Sequence, residues 1–157
     1  MENDSILNGK RILIVDDEPD ILETLSDLLP MCKTTEATSF DQAKNLLENQ
    51  YFDMAILDIM GVDGYQLLDI CNQKNVIAVM LTAYAMTPAD IKKSYENGAA
   101  SFVPKEKMID ITDYLSDIYE AKEKGKNLWW RWVDRLANYC ENKFGPDWQK
   151  ENGFKVR

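Results

Sequence analysis

The stretch "RILIVDDEPD", residues 11–20, decides the fold. Four branched apolar residues, Ile12 to Val15, run directly into Asp16, Asp17 and Glu18. An apolar run of that kind, with no alternation, is what a parallel sheet buries on both faces, so residues 11–16 are predicted as a first strand. The acids that follow repel one another. A solvated turn would tolerate them singly, but their density at a strand end implies that something positive sits there.

Working outward, Pro19 stands where a first helical turn accepts proline, and Ile21, Leu22, Leu25, Leu28 and Leu29 repeat at helical spacing. A weak short strand is expected near residues 32–37. Ser39 and Gln42 form an S-x-x-Q capping box ahead of a helix carrying Ala43, Leu46 and Leu47. "FDMAILD" is the next strand and ends in Asp58. "YQLLDICNQ" reads as a helix after Gly61 and Gly64, and "VIAVMLT" as a buried strand. Thr87 caps a helix with Pro88 at its first position, and Gly98 fits its stop. "SFVPK" is a last short strand, and residues 106–123 are predicted as one helix with Ile111, Tyr114, Leu115 and Ile118 inward. Five strand–helix units in strict alternation call for an α/β, doubly wound, five-stranded parallel sheet. The expected form is flavodoxin-like, with order 2-1-3-4-5 and a C-terminal helix.

Composition narrows the function. The 157 residues contain no histidine, which excludes most zinc sites and histidine-based triads. Three widely spaced cysteines, Cys32, Cys71 and Cys140, are read as reduced, packed thiols. The longest apolar run, "VIAVML", is far short of a membrane span, and "MENDSILNGK" lacks the apolar centre of a secretion signal, so a cytoplasmic setting is expected. The net charge of −9 is uneven: residues 1–123 carry 23 acids and 10 bases, whereas residues 124–157 carry 4 acids and 8 bases. An acidic body disfavours nucleic acid as a partner. The composition shift at "EAKEKGKN", residues 120–127, divides the chain into residues 9–123 and a basic, Trp-rich helical extension, residues 124–157.

In doubly wound sheets, ligands bind beyond the carboxyl ends of the strands where the strand order reverses. That point lies between strands 1 and 3, about 4.8 Å apart. Asp16, Asp17 and Asp58 would therefore share one small pocket. A hard divalent cation, Mg2+, relieves their repulsion and leaves waters for a phosphate to replace. Thr82 closes strand 4 with a hydroxyl, and Lys105 follows strand 5 with an ammonium. A carboxylate nucleophile, a cation, a hydroxyl donor and a fixed positive charge are the parts phosphoryl transfer requires.

Four motifs carry a family resemblance: "VDDE" with Asp16 and Asp17, "ILDIM" with Asp58, "LTAYA" with Thr82 and Ala83, and "GAASFVPK" with Phe102, Pro104 and Lys105. In this order, each at a predicted strand end, they resemble the receiver domain of bacterial two-component response regulators. The resemblance covers about residues 9 to 123. It implies a single-domain switch with a C-terminal helical extension, in which Asp58 accepts a phosphoryl group from a sensor histidine kinase or phosphotransfer protein. It further implies that Asp17, Asp58 and the backbone carbonyl of Met60 ligate Mg2+, with Asp16 acting through a water. Lys105 would pair with Asp58 and then with the phosphoryl oxygens, and Thr82 would donate to the phosphoryl group and shift toward it. Phe102 would then turn inward, altering the face made by the fourth helix, fifth strand and fifth helix for a downstream protein target. Such a protein is no enzyme beyond promoting its own phosphorylation and dephosphorylation.

One departure stands beside the metal carbonyl. In "DIMGVDG", Gly61 replaces the family's usual proline, and Gly64 falls six residues after Asp58 rather than eight. The competing reading is a receiver-like protein-interaction module that is never phosphorylated. Two enzyme readings fail on residues: a haloacid-dehalogenase-type phosphatase needs Asp-x-Asp, but Glu18 stands two after Asp16, and "DDEPD" would repel a flavin phosphate. Met60 and Tyr84 are expected to flank the route of a hydrolytic water. In the tail, Leu128, Trp132, Val133, Leu136 and Cys140 form an apolar stripe with Arg131, Asp134 and Arg135 off it. The expected arrangement is a helix folded back on its own receiver. A homodimer or partner contact is the alternative, and adsorption to an anionic membrane a third. Direct DNA binding is not expected, because no second helix stands in helix-turn-helix register.

Overall fold

The computed structural model describes residues 6–83, 87–123 and 128–153, without the side chains of residues 128–134. Its sheet is formed by β1 (Arg11–Val15), β2 (Lys33–Ala37), β3 (Met54–Asp58), β4 (Ile77–Thr82) and β5 (Ser101–Pro104). All four pairings are parallel, in the order β2-β1-β3-β4-β5. The expected doubly wound architecture is present. Every residue of β3 is buried, as the unbroken apolar run requires of a central strand, whereas β2, with the sequence "KTTEA", buries only Ala37 and takes an edge.

The connecting helices are α1 (Pro19–Leu28), α2 (Phe40–Asn49), α3 (Gly64–Gln73), α4 (Pro88–Glu96) and α5 (Ile111–Glu123). Ser39 caps α2 by accepting from Gln42 N at 3.2 Å. The reciprocal arm of the box lands one residue earlier than in the usual pattern: Gln42 Oε1 accepts from Thr38 N at 2.8 Å. Thr87 accepts from Asp90 N and starts α4, and Gly98, at φ +88°, follows its end in the left-handed conformation open to glycine.

Residues 106–123 are not one helix. Lys105–Asp110 winds as a 3-10 helix before α5 begins at Ile111. None of those six residues is buried, and Ile109 is exposed, so no apolar stripe holds the segment in α-helical turns. The segment preceding β1 contributes more than its polarity suggests. Leu7 is fully buried, and Gly9 N donates to Met31 O.

The tail forms α6 (Leu128–Phe144) and, after Gly145 at φ +93°, the short α7 (Trp148–Glu151). Helix α6 packs on α5 and on β5, the strand at the sheet's other edge. Leu136, Cys140 and Trp148 are buried in the same core as the sheet. The remaining stripe positions, Leu128, Trp132 and Val133, lie outside the described side chains, as do Arg131 and Asp134. Arg135, expected off the stripe, faces α5.

Candidate functional site

The carboxyl ends of β1 and β3 meet because Val15 stands opposite Leu57 in the parallel register. Asp16 follows β1 directly, with its N–H donating to Ala37 O, and Asp58 is the last residue of β3. Asp16 is fully buried, Asp58 is 5% exposed, and Asp17 faces solvent. One carboxylate oxygen from each of Asp16, Asp17 and Asp58 lies within 4.8 Å of the other two. The pocket thus offers hard oxygen donors from two adjacent strand ends.

Lys105 is the cation of this cluster. Its Nζ lies 3.0 Å from Asp16 Oδ2, 3.4 Å from Asp58 Oδ1 and 3.4 Å from Glu18 Oε2. Its nearest carboxylate is therefore Asp16, not Asp58, and Glu18 joins the set although the motif reading gave it no role. Glu18 also donates its N–H to Asp16 Oδ1 at 2.9 Å, which orients the buried carboxylate. Burial raises the Asp16 carboxyl above its usual range, with repulsion from Asp58 adding to it, while the Glu18 N–H and Lys105 oppose the shift. Burial also works against the charge of Lys105, but Asp16, Asp58 and Glu18 outweigh it and hold the ammonium above the ordinary lysine range.

The short loop after Asp58 has a definite physical form. Asp63 adopts φ 55°, ψ 57°, a left-handed conformation that Asp tolerates better than most residues. Gly64 then begins α3 directly against β3, its N–H donating to Ile59 O at 3.1 Å. A Cβ at Gly64 would overlap the Asp58 carbonyl oxygen and Ile59 Cα, and a Cβ at Gly61 would overlap the Asp17 carboxylate. Gly61 N donates to Asp58 Oδ2 at 3.2 Å. Gly61 thus brings loop backbone onto both carboxylates, and Gly64 lets α3 start against the backbone of Asp58 and Ile59. The Met60 side chain is 83% exposed.

Thr82 closes β4 opposite Pro104 and is buried. Phe102 pairs with Met80 within the sheet and is 2% exposed. It lies against a cavity of about 610 Å³ near the amino ends of β4 and β5, where Ile91, Tyr95 and Ile118 also open. Phe102 is thus already buried, with space beside it. Asp16, Asp17, Asp58 and Lys105 come together in one pocket; Phe102 opens onto a different one. Tyr84 lies outside the described residues.

A parallel sheet of this order, with an acidic pocket at its switch point and a lysine beyond the last strand, defines a class of signalling receiver. Residues 12–116 match the family described as "Response regulator receiver domain", and the chain belongs to that family. Among curated proteins it is 35% identical over 98 residues to the Heme response regulator HssR of Staphylococcus aureus strain Newman, covering 59% of this chain and 43% of that protein. It is 33% identical over 101 residues to Response regulator GtcR of Aneurinibacillus migulanus, covering 62% and 42% respectively. The chain therefore spans less than half the length of these relatives. A solved CheY-like receiver domain from Methanospirillum hungatei JF-1 superposes with a TM-score of 0.65 at 26% identity, covering 74% of this chain and 99% of that one.

Proposed function

We propose that this receiver is a phosphoryl-accepting switch with Asp58 as the acceptor. The observation that carries the reading is the convergence of three carboxylates within 4.8 Å, with Lys105 beside them. A carboxylate oxygen of Asp58 attacks the phosphorus of a phosphohistidine on a sensor kinase or phosphotransfer protein. The O–P bond forms as the P–N bond breaks, and the departing histidine nitrogen takes the electron pair and a proton. Lys105 moves its ion pairing from Asp16 and Glu18 toward the new phosphoryl oxygens, and Thr82 donates its hydroxyl to one of them.

The donor set fits a magnesium ion. The described donors are carboxylate oxygens, and Gly61 makes room for the Asp17 carboxylate, which lies where a Cβ would otherwise sit. Asp17, Asp58 and the Met60 carbonyl would hold the ion directly and Asp16 through a water. When bound, it supplies positive charge to the phosphoryl oxygens. The reaction modifies only the protein itself, and the modified state is read by a downstream protein. Among the described residues no helix is long and apolar enough to cross a membrane, and the proposed setting is the cytoplasm.

Incubation with acetyl phosphate and Mg2+ tests the reading. An intact-mass gain of one phosphoryl group is expected in the wild type, and none in Asp58→Asn or with chelator. No gain and no magnesium binding would sink it and leave an inert interaction module.

A further inference from the structure

The tail's contacts run through the same short segment that carries the site's cation. Lys105 opens the 3-10 helix and sits among Asp16, Asp58 and Glu18; the next residue, Glu106, accepts a hydrogen bond from Tyr139 Oη on α6. One peptide bond therefore joins the acidic pocket to the tail. At this point acids of α5 meet an arginine of the tail. Arg135 forms a forked pair with Asp117 on α5, its Nη2 at 2.9 Å, and lies 3.8 Å from Asp113. Lys107 and Lys143 flank the Tyr139 ring at 5.8 and 5.6 Å. Beneath these polar contacts Leu136, Cys140 and Trp148 are buried, with Phe144 and Trp148 rings 5.8 Å apart. Beyond α7, Gly153 lies against Lys92 of α4.

We propose that the face formed by α5, the edge of β5 and the 3-10 helix is a docking surface for an amphipathic helix that presents an arginine to it. The chain's own residues 135–148 fill it in the resting state, and modification of Asp58 loosens them. Asp113 and Asp117 select the arginine, Glu106 accepts from the Tyr139 hydroxyl, and the apolar seam supplies contact area. The release follows from Lys105. In the resting state its charge is shared among three carboxylates at 3.0 to 3.4 Å. A phosphoryl group on Asp58 adds negative charge at one of them and draws the ammonium there. Glu106 moves with it, and a hydrogen bond weakens steeply once its geometry is lost. This inference rests on Asp58 being the phosphoacceptor.

Cys140 reports the event, because it is fully buried on the inner face of α6 itself, whereas Cys71 is buried on a different helix, α3. The experiment follows maleimide labelling of both thiols by peptide mass spectrometry, with and without acetyl phosphate and Mg2+. Intact mass is recorded on the same samples. Phosphorylation is expected to accelerate labelling of Cys140 by about tenfold, a local opening, and to leave Cys71 unchanged. In Tyr139→Phe the mass gain persists, the resting Cys140 rate rises, and the response to phosphorylation shrinks. A mass gain with an unchanged Cys140 rate overturns this inference and leaves the phosphoacceptor reading standing. Equal acceleration of Cys140 and Cys71 overturns it as well, as a global loosening, and absence of any mass gain removes both.

Discussion

Met60 and Gly61 concentrate what is individual about this site. The Met60 side chain is 83% exposed beside the acceptor and offers an incoming water no strong hydrogen bond. Replacing it with an amide that can hold that water is expected to shorten the life of the phosphorylated state. Phosphate release from purified phosphoprotein should be faster in Met60→Asn than in the wild type, and the reverse order would refute the role. Gly61 instead makes room for the Asp17 carboxylate. In Gly61→Ala the new methyl would displace the Asp17 carboxylate, a movable side chain, rather than backbone. The fold should survive, while Mg2+ affinity falls about tenfold, equivalent to roughly 1.4 kcal/mol, as measured by calorimetric titration. That Gly61 and Gly64 matter was legible in the sequence as a shortened loop. Which atoms they accommodate was not, since that depends on where β1 delivers Asp17. Glu18 stood among the acids that call for a positive partner, but nothing in "DDEPD" shows that a lysine 87 residues later will reach it.

At the level of elements, capping residues fixed helix starts with local chemistry alone. Ser39 accepts from Gln42 N, and Gln42 in turn accepts from Thr38 N. Ser39→Ala should therefore cost about 1 kcal/mol, read as a lower urea midpoint, with phosphoryl acceptance unchanged because the cap's hydrogen bonds involve none of Asp16, Asp17, Asp58 or Lys105. Thr87 and Pro88 begin α4 for the same local reasons. The helix predicted over residues 106–123 divides because Lys105–Asp110 contains too little buried apolar surface to hold α-helical turns, and one of its few apolar residues, Ile109, faces solvent. Helix α6 shows the opposite limit. Its stripe through Leu136 and Cys140 was readable, but Arg135, beside that stripe, acquires its partner only because α5 places Asp117 there.

Across the whole molecule, burial sets the chemistry of the thiols. None of the three cysteines is in a disulfide, and burial pushes both Cys71 and Cys140 up to about 12. In the unfolded chain a thiol ionises near 9.0. The native state gains nothing from ionisation until far higher pH, so each thiol's contribution to stability is complete below the unfolded value. It is lost progressively as pH rises toward the folded one. Between pH 9 and 10.5 the Cys71 contribution should fall by about 1.5 kcal/mol, measured as the pH-dependent gap in unfolding free energy between wild type and Cys71→Ala. A gap that stays flat across that interval would refute the shift.

The sequence by itself determined the alternation of strands and helices, the doubly wound sheet, and the strand ends at which Asp16, Asp17, Asp58, Thr82 and Lys105 stand, because apolar runs and caps act over a few residues. Only the tertiary structure decided which carboxylate Lys105 sits nearest, which atoms Gly61 and Gly64 accommodate, and where the tail helix lies. Those outcomes depend on atoms distant in the chain whose separation is fixed by packing, and no local pattern encodes a distance.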